Sequence, residues 1–249
     1  MPPSTPKNPL PRIACFHGAG SNAEIFEIQC SFLSSLLADT ITLEFFNGPF
    51  PRAAGPGVLP AFADYGPYKS WFDYGTGPPD HHHGDGSGYD SVGRDGVERA
   101  WRMMAERSGP GKGEWVGVMG FSQGTRVAGG LLLDQQRRDA LGLGSGGLGN
   151  EVWPRVKFGV LCMGGGAPME SEVAYKFNES DNVVEIPTLH LHGLKDEFLK
   201  NGREQRARYY EEEQTTLYEI NYHHAMPWVK AESEELARLI KDIYKRTKD

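Results

Sequence analysis

The sequence predicts an α/β fold: a mostly parallel, doubly wound β-sheet with helices on both faces. Two observations carry that expectation. Short apolar runs of strand length alternate with stretches of helical periodicity along almost the whole chain. No internal repeat and no linker-like stretch interrupts the alternation, and 249 residues suffice for one sizeable core. The chain is therefore read as a single domain over 1–249, with a tail over about 1–11.

Residues 12–17 (RIACFH) and 41–46 (ITLEFF) read as strands. Over 23–39, Ile25, Phe26, Ile28, Phe32, Leu33, Leu36 and Leu37 recur at helical spacing and predict one helix. The Gly/Pro-rich stretch from about 47 to 88 is too long for a simple connection. It also carries Phe50, Phe62, Tyr65, Tyr68, Trp71, Phe72 and Tyr74, unlike a disordered linker. It is expected to form a partly ordered, modest lid or pocket wall. A helix follows over about 91–107, then a strand at 114–119 (EWVGVM) and a helix over 122–137. Residues 141–150 read as a Gly-rich surface loop. Strands are expected at 156–162 (VKFGVLC), 187–192 (PTLHLH) and 215–221 (TTLYEIN), with helices around 198–210 and 229–244.

Composition excludes several classes of function. The formal charge of −7 argues against nucleic acid as a main partner, because phosphates call for a basic surface. The N-terminal residues lack the apolar core of a signal peptide, and no later run is long enough to span a membrane. A soluble, cytoplasmic protein without membrane contact is expected. Cys15, Cys30 and Cys162 are scattered and odd in number, so they read as small buried hydrophobes rather than a disulfide framework. His81, His82 and His83 are consecutive, which disfavours convergence on one ion, and their flanks read as an exposed loop. Gly164–Gly166 and the glycines around Ser145 fit no phosphate-binding pattern. Neither a metal nor another cofactor is expected. Glu211–Glu213 read as a solvated helix end.

The chemistry lies elsewhere. Gly120-Phe121-Ser122-Gln123-Gly124 fits G-x-S-x-G, between an expected strand and an expected helix. A serine at the tip of such a turn is presented to solvent, and glycines two residues away on either side let strand and helix close around it. Ser122 is the expected nucleophile. A serine hydroxyl needs a base beside it, and in this arrangement the acid and then the histidine follow in chain order. His190 alternates with leucines inside a strand, and His192 ends that strand. His223 and His224 both lie in the loop after the last strand, and spacing does not choose between them. The loop after His192 offers Asp196 as the acid, with Glu197 as its neighbouring competitor. The backbone N–H groups of Ala19, in His17-Gly18-Ala19-Gly20, and of Gln123 are the expected oxyanion donors. His17 is expected to brace that loop. Trp71 and Phe72 are either core or substrate pocket; Met163, Gly164 and Met226 are further pocket candidates.

Taken together, CFHGAGSNAEIFEIQ, FNGPF, YKSWFDY, GFSQG, LHLHGLKD and HHAMP resemble the FSH-type serine hydrolases across nearly the whole chain. That family includes eukaryotic esterases and many fungal thioesterases and hydrolases of polyketide pathways. Its last motif commonly reads G-H-x-x-P; His224-Ala225-Met226-Pro227 matches H-x-x-P, which selects His224, and His223 stands where glycine is usual. The resemblance implies an α/β-hydrolase fold with no cofactor. It also implies a small-molecule acyl ester or thioester as substrate, with the acyl carrier domain of a synthase as a candidate partner.

Overall fold

Arg12–Phe16 form β1, which is buried at every position. Ile13 and Cys15 enter one core cluster, Ala14 and Phe16 the other. A strand that is apolar on both faces belongs inside a parallel sheet covered above and below. The computed structural model, which describes residues 9–72, 96–144 and 152–248, has that architecture. The remaining strands are β2 (Thr42–Phe46), β3 (Phe50–Pro51), β4 (Lys69–Ser70), β5 (Trp115–Phe121), β6 (Phe158–Cys162), β7 (Thr188–Gly193) and β8 (Thr215–Ile220). Six of them form one sheet in the order β2-β1-β5-β6-β7-β8, with every pairing parallel. β3 and β4 form a separate antiparallel ribbon.

The helices are α1 (Ala23–Gln29), α2 (Ser31–Leu37), α3 (Gly96–Glu106), α4 (Gly124–Ala140), α5 (Leu199–Tyr209) and α6 (Lys230–Thr247). Phe26, Leu33 and Leu37 join Leu236, Ile240 and Ile243 over one face of the sheet. Val97, Ala100 and Trp101 join Val127 and Leu131 over the other. α5 packs against β7. Among the described residues no helix is long and apolar enough to cross a membrane.

The structure corrects one expected element. Residues 23–39 form two short helices, with Cys30 at the break. Each helix buries its own pair, Ile25 with Phe26 and Leu33 with Leu37, and the bend between them also buries Cys30. Of the expected lid, the part through Phe72 is described: β3, a single 3-10 turn at Ala63–Tyr65, and β4. The remainder, with Tyr74 and His81–His83, lies outside the described residues, as do the start of the expected 91–107 helix and 145–150 of the Gly-rich loop.

The strand order reverses direction at β1. From β1 the chain moves outward to β2, then returns to the other side of β1 for β5. In open α/β sheets, ligands bind beyond the carboxyl ends of the strands at such a reversal. Here that point lies between the loop after Phe16 and the turn after Phe121, the two places where the sequence concentrates its chemistry.

Candidate active site

Ser122 follows β5 with φ +52°, in the left-handed region that a non-glycine residue enters at a cost. Its N–H donates to the Cys162 carbonyl at 2.9 Å, and its carbonyl accepts from Thr125 N at 3.0 Å. The flanking glycines are there for space. A Cβ on Gly120 would lie 2.2 Å from the Gly124 carbonyl oxygen, and one on Gly124 would lie 2.0 Å from that of Phe16. α4 therefore leaves the turn in contact with the end of β1. A Cβ on Gly18 would lie 3.3 Å from Ser122 Cβ, so the 17–20 loop runs beside the serine.

That loop is held from both sides. The Gly48 N–H donates to His17 Nε2 at 2.9 Å, so His17 Nδ1 carries the proton and donates to the Gly18 carbonyl at 2.7 Å. Burial pushes the His17 pKa down to about 4. With its only lone pair occupied, His17 braces the loop and is no base. Gly20 N–H donates to the Lys69 carbonyl at 2.8 Å, Lys69 N–H to Ser21 O at 2.6 Å, and Gly55 N–H to Gly20 O at 2.9 Å. The Ala19 N–H has no acceptor among the described residues. Gln123 ties the same segment to the serine turn: its Oε1 accepts from Trp71 N at 2.9 Å and Ser70 Oγ at 3.2 Å. Asn22 caps α1 through Ile25 N at 2.9 Å and holds the Tyr65 carbonyl at 2.6 Å with its amide.

Asp196 lies in the loop after β7, its side chain 2% exposed. Its Oδ2 accepts from His224 Nδ1 at 2.8 Å, and its Oδ1 accepts from Phe198 N at 2.8 Å. A carboxylate only accepts, so Nδ1 carries the proton and Nε2 of the neutral ring keeps its lone pair. The His224 ring lies 5.0 Å from both Phe121 and Phe198, which places it beside the serine turn. Ser122 Oγ makes no hydrogen bond to His224 among the described residues. Such contacts are commonly open in ligand-free sites and tighten in the substrate complex. Glu197 is exposed. His223 is exposed too and packs toward Trp228, ring centroids 5.7 Å apart. Its backbone is not left-handed, so a side chain fits where glycine is usual. His190 bonds Thr188 Oγ1 at 3.1 Å inside the fold, and His192 lies 3.8 Å from Glu219.

The expected pocket residues are buried. Trp71 is 3% exposed, edge-on to Phe16, with its indole N–H on the His17 carbonyl at 2.9 Å. Phe72 is buried in the same cluster, and the Arg126 guanidinium lies 4.3 Å over its ring. Met163 and Met226 belong to the opposite core. Gly164 is filled from outside: its Cβ position lies 2.4 Å from Gln205 Oε1 and 2.6 Å from Thr125 Oγ1. Phe198, 40% exposed and packed against His224, is a neighbour of the candidate base that sequence reasoning missed; its signal was proximity to Asp196. A cavity of about 540 Å³ lined by Leu189, Thr216, Leu239 and Asp242 sits near the start of β7 and β8, away from this chemistry.

The family profile described as serine hydrolase (FSH1) matches residues 7–236. The chain belongs to that family. This serine hydrolase is 34% identical to the probable esterase azaC of Aspergillus niger over 96% of its own length and 87% of the relative's. It is 31% identical to the esterase pigG of Monascus ruber, covering 88% and 85% of the two chains. Among solved structures, it superposes on acyl-protein thioesterase 2 of Zea mays with a TM-score of 0.55 at 16% identity, covering 96% of each chain. It also superposes on a fungal esterase of Rhizomucor miehei with a TM-score of 0.56 at 12% identity, covering 98% and 78%. Those two likenesses establish the α/β-hydrolase architecture.

Proposed function

We propose that this serine hydrolase cleaves a carboxylic ester or thioester through an acyl-enzyme on Ser122. The observation that carries the reading is the Asp196–His224 hydrogen bond at 2.8 Å, set beside a left-handed Ser122 at the strand-order reversal. Ser122 Oγ attacks the acyl carbon as its proton passes to His224 Nε2. The N–H groups of Ala19 and Gln123 receive the oxyanion, each such donor being worth about 3–4 kcal/mol of barrier. Collapse expels the alcohol or thiol, which takes the proton from His224. Water then attacks the acyl-enzyme, gives its proton to His224, and releases the acid as Ser122 regains its proton. Asp196 keeps Nδ1 protonated and stabilises the imidazolium. The esterase names of the relatives support hydrolysis, and the family resemblance favours a biosynthetic acyl substrate of the polyketide kind, free or on a carrier domain.

The test is covalent labelling by a fluorophosphonate together with turnover of acyl esters and thioesters of graded length. Ser122→Ala is expected to abolish labelling and to lower turnover by on the order of 10⁶. A wild-type protein that stays unlabelled, or a Ser122→Ala variant that keeps hydrolysing, overturns the reading.

A further inference from the structure

Gln205 lies 83 residues beyond the serine it touches through one intermediary. It sits on α5, 2% exposed. Its Nε2 donates to the Gly166 carbonyl at 2.8 Å and to Thr125 Oγ1 at 3.2 Å. The carbonyl can only accept, which fixes the amide's orientation. Thr125 Oγ1 in turn donates to the Ser122 carbonyl at 2.7 Å. Both amide protons are thus used, and a directed chain of hydrogen bonds runs from Gly166 through Gln205 and Thr125 to the residue at the left-handed turn.

The other end of the same helix touches the acid. Phe198 caps α5, and its N–H is held by Asp196 Oδ1 at 2.8 Å. α5 therefore contacts both halves of the site: Asp196, which orients His224, and the serine turn. The buried face of this helix is Gly202 and Gln205, not a hydrophobic stripe. A helix that buries an amide at such a position satisfies it by specific contacts, and one of the two made here is to Thr125, beside the serine turn.

We infer that Gln205 is a positioning residue, which sets the register of Ser122 against the Asp196–His224 pair through Thr125. This rests on the proposed role of Ser122. Without Gln205, Thr125 Oγ1 loses the donor that holds it and α5 loses its polar link to the turn; without the Thr125 hydroxyl, the Ser122 carbonyl also loses one of its two donors. A small misplacement of reacting groups costs rate rather than affinity.

The experiment compares Gln205→Leu, Thr125→Val, Thr125→Ser and the Gln205→Leu/Thr125→Val double variant. It measures fluorophosphonate inactivation rates, kcat and KM for a p-nitrophenyl ester, and thermal unfolding. Gln205→Leu is expected to lower kcat and the inactivation rate about ten- to a hundredfold with KM little changed. Thr125→Ser keeps the hydroxyl and is expected to remain near wild type. The double variant is expected to be no worse than the poorer single variant, because both cut one chain. If Gln205→Leu does not fold, Thr125→Val cuts the same chain at its middle link and carries the same expectation. A folded Gln205→Leu with wild-type inactivation kinetics, a Thr125→Ser as damaged as Thr125→Val, or additive losses in the double variant overturns the inference alone. An unlabelled wild-type protein overturns both it and the reading on which it rests.

Discussion

The two adjacent histidines differ in what holds them. His224 donates to a buried carboxylate and lies between two phenylalanines; His223 faces outward toward Trp228. Only the first has a fixed tautomer with a free Nε2 beside the serine. His224→Ala is expected to cost about 10⁴-fold or more in kcat, as loss of a base does in comparable triads, while His223→Ala stays near wild type. Steady-state kinetics on both variants decide the matter: a larger loss in His223→Ala would reverse the assignment. Residue spacing did not separate the two, because they share one loop; the family resemblance and then the Asp196 contact did. Ser122 and Asp196 were readable as candidates because backbone sterics demand the glycines around one and loop position marks the other. Phe198 and Gln205 were not, because each acts through the tertiary placement of α5.

At the scale of elements, the join between β5 and α4 tolerates no side chain on its inner side. A methyl group at Gly124 would drive into the Phe16 carbonyl, and backbone at that distance must move. Gly124→Ala is expected to destabilise the fold by roughly 1–3 kcal/mol through overpacking, read as a lowered urea midpoint. It should also slow labelling of Ser122, since α4 is displaced with its first turn; an unchanged midpoint would sink this account. The strands were legible because parallel strands buried on both faces are continuous apolar runs, as in β1 and β6. Helix continuity was less so. Nothing in the apolar spacing over 23–39 marks the break at Cys30, because the bend answers to the sheet beneath it. The pocket candidates were left open in the sequence for a similar reason: an aromatic or methionine residue reads alike whether it lines a cleft or fills a core.

Across the whole molecule, pH acts on stability through buried groups, of which Glu98 is remote from the site. Glu98 is 2% exposed between α3 and α4, with Asp134 and Glu172 nearby. Arg138 meets it at 3.4 Å but holds Asp134 and Glu172 at 2.8 Å. Burial, partly offset by the Glu172 N–H that donates to it, raises its pKa from 4.5 to about 7. The folded state thus keeps a proton that the unfolded chain releases, and stability is lost as pH rises from 4.5 to 7. Glu98→Gln is expected to stabilise the protein by at most about 3 kcal/mol above pH 7, the gain fading toward pH 4. His17, with His190 and His192, acts in the opposite sense. Burial lowers their pKa values, so their contribution falls as pH drops below 6.5. Urea unfolding of both proteins at pH 5 and pH 8 is the check; an equal gain at the two pH values would refute the role given to Glu98.

The stitching of residues 50–72 to the serine's surroundings divides the surface for anyone who would retune the enzyme. Gly55 and Lys69 fix the loop that carries Ala19, while Ser70 and Trp71 fix Gln123. Random variation there is expected to shift both proposed oxyanion donors at once and to erase activity before new substrates could be found. Leu194, Phe198 and Trp228 are exposed on the acid and histidine loops. A library at Phe198, whose ring packs against His224, would change the surface beside the proposed base while leaving those backbone ties in place.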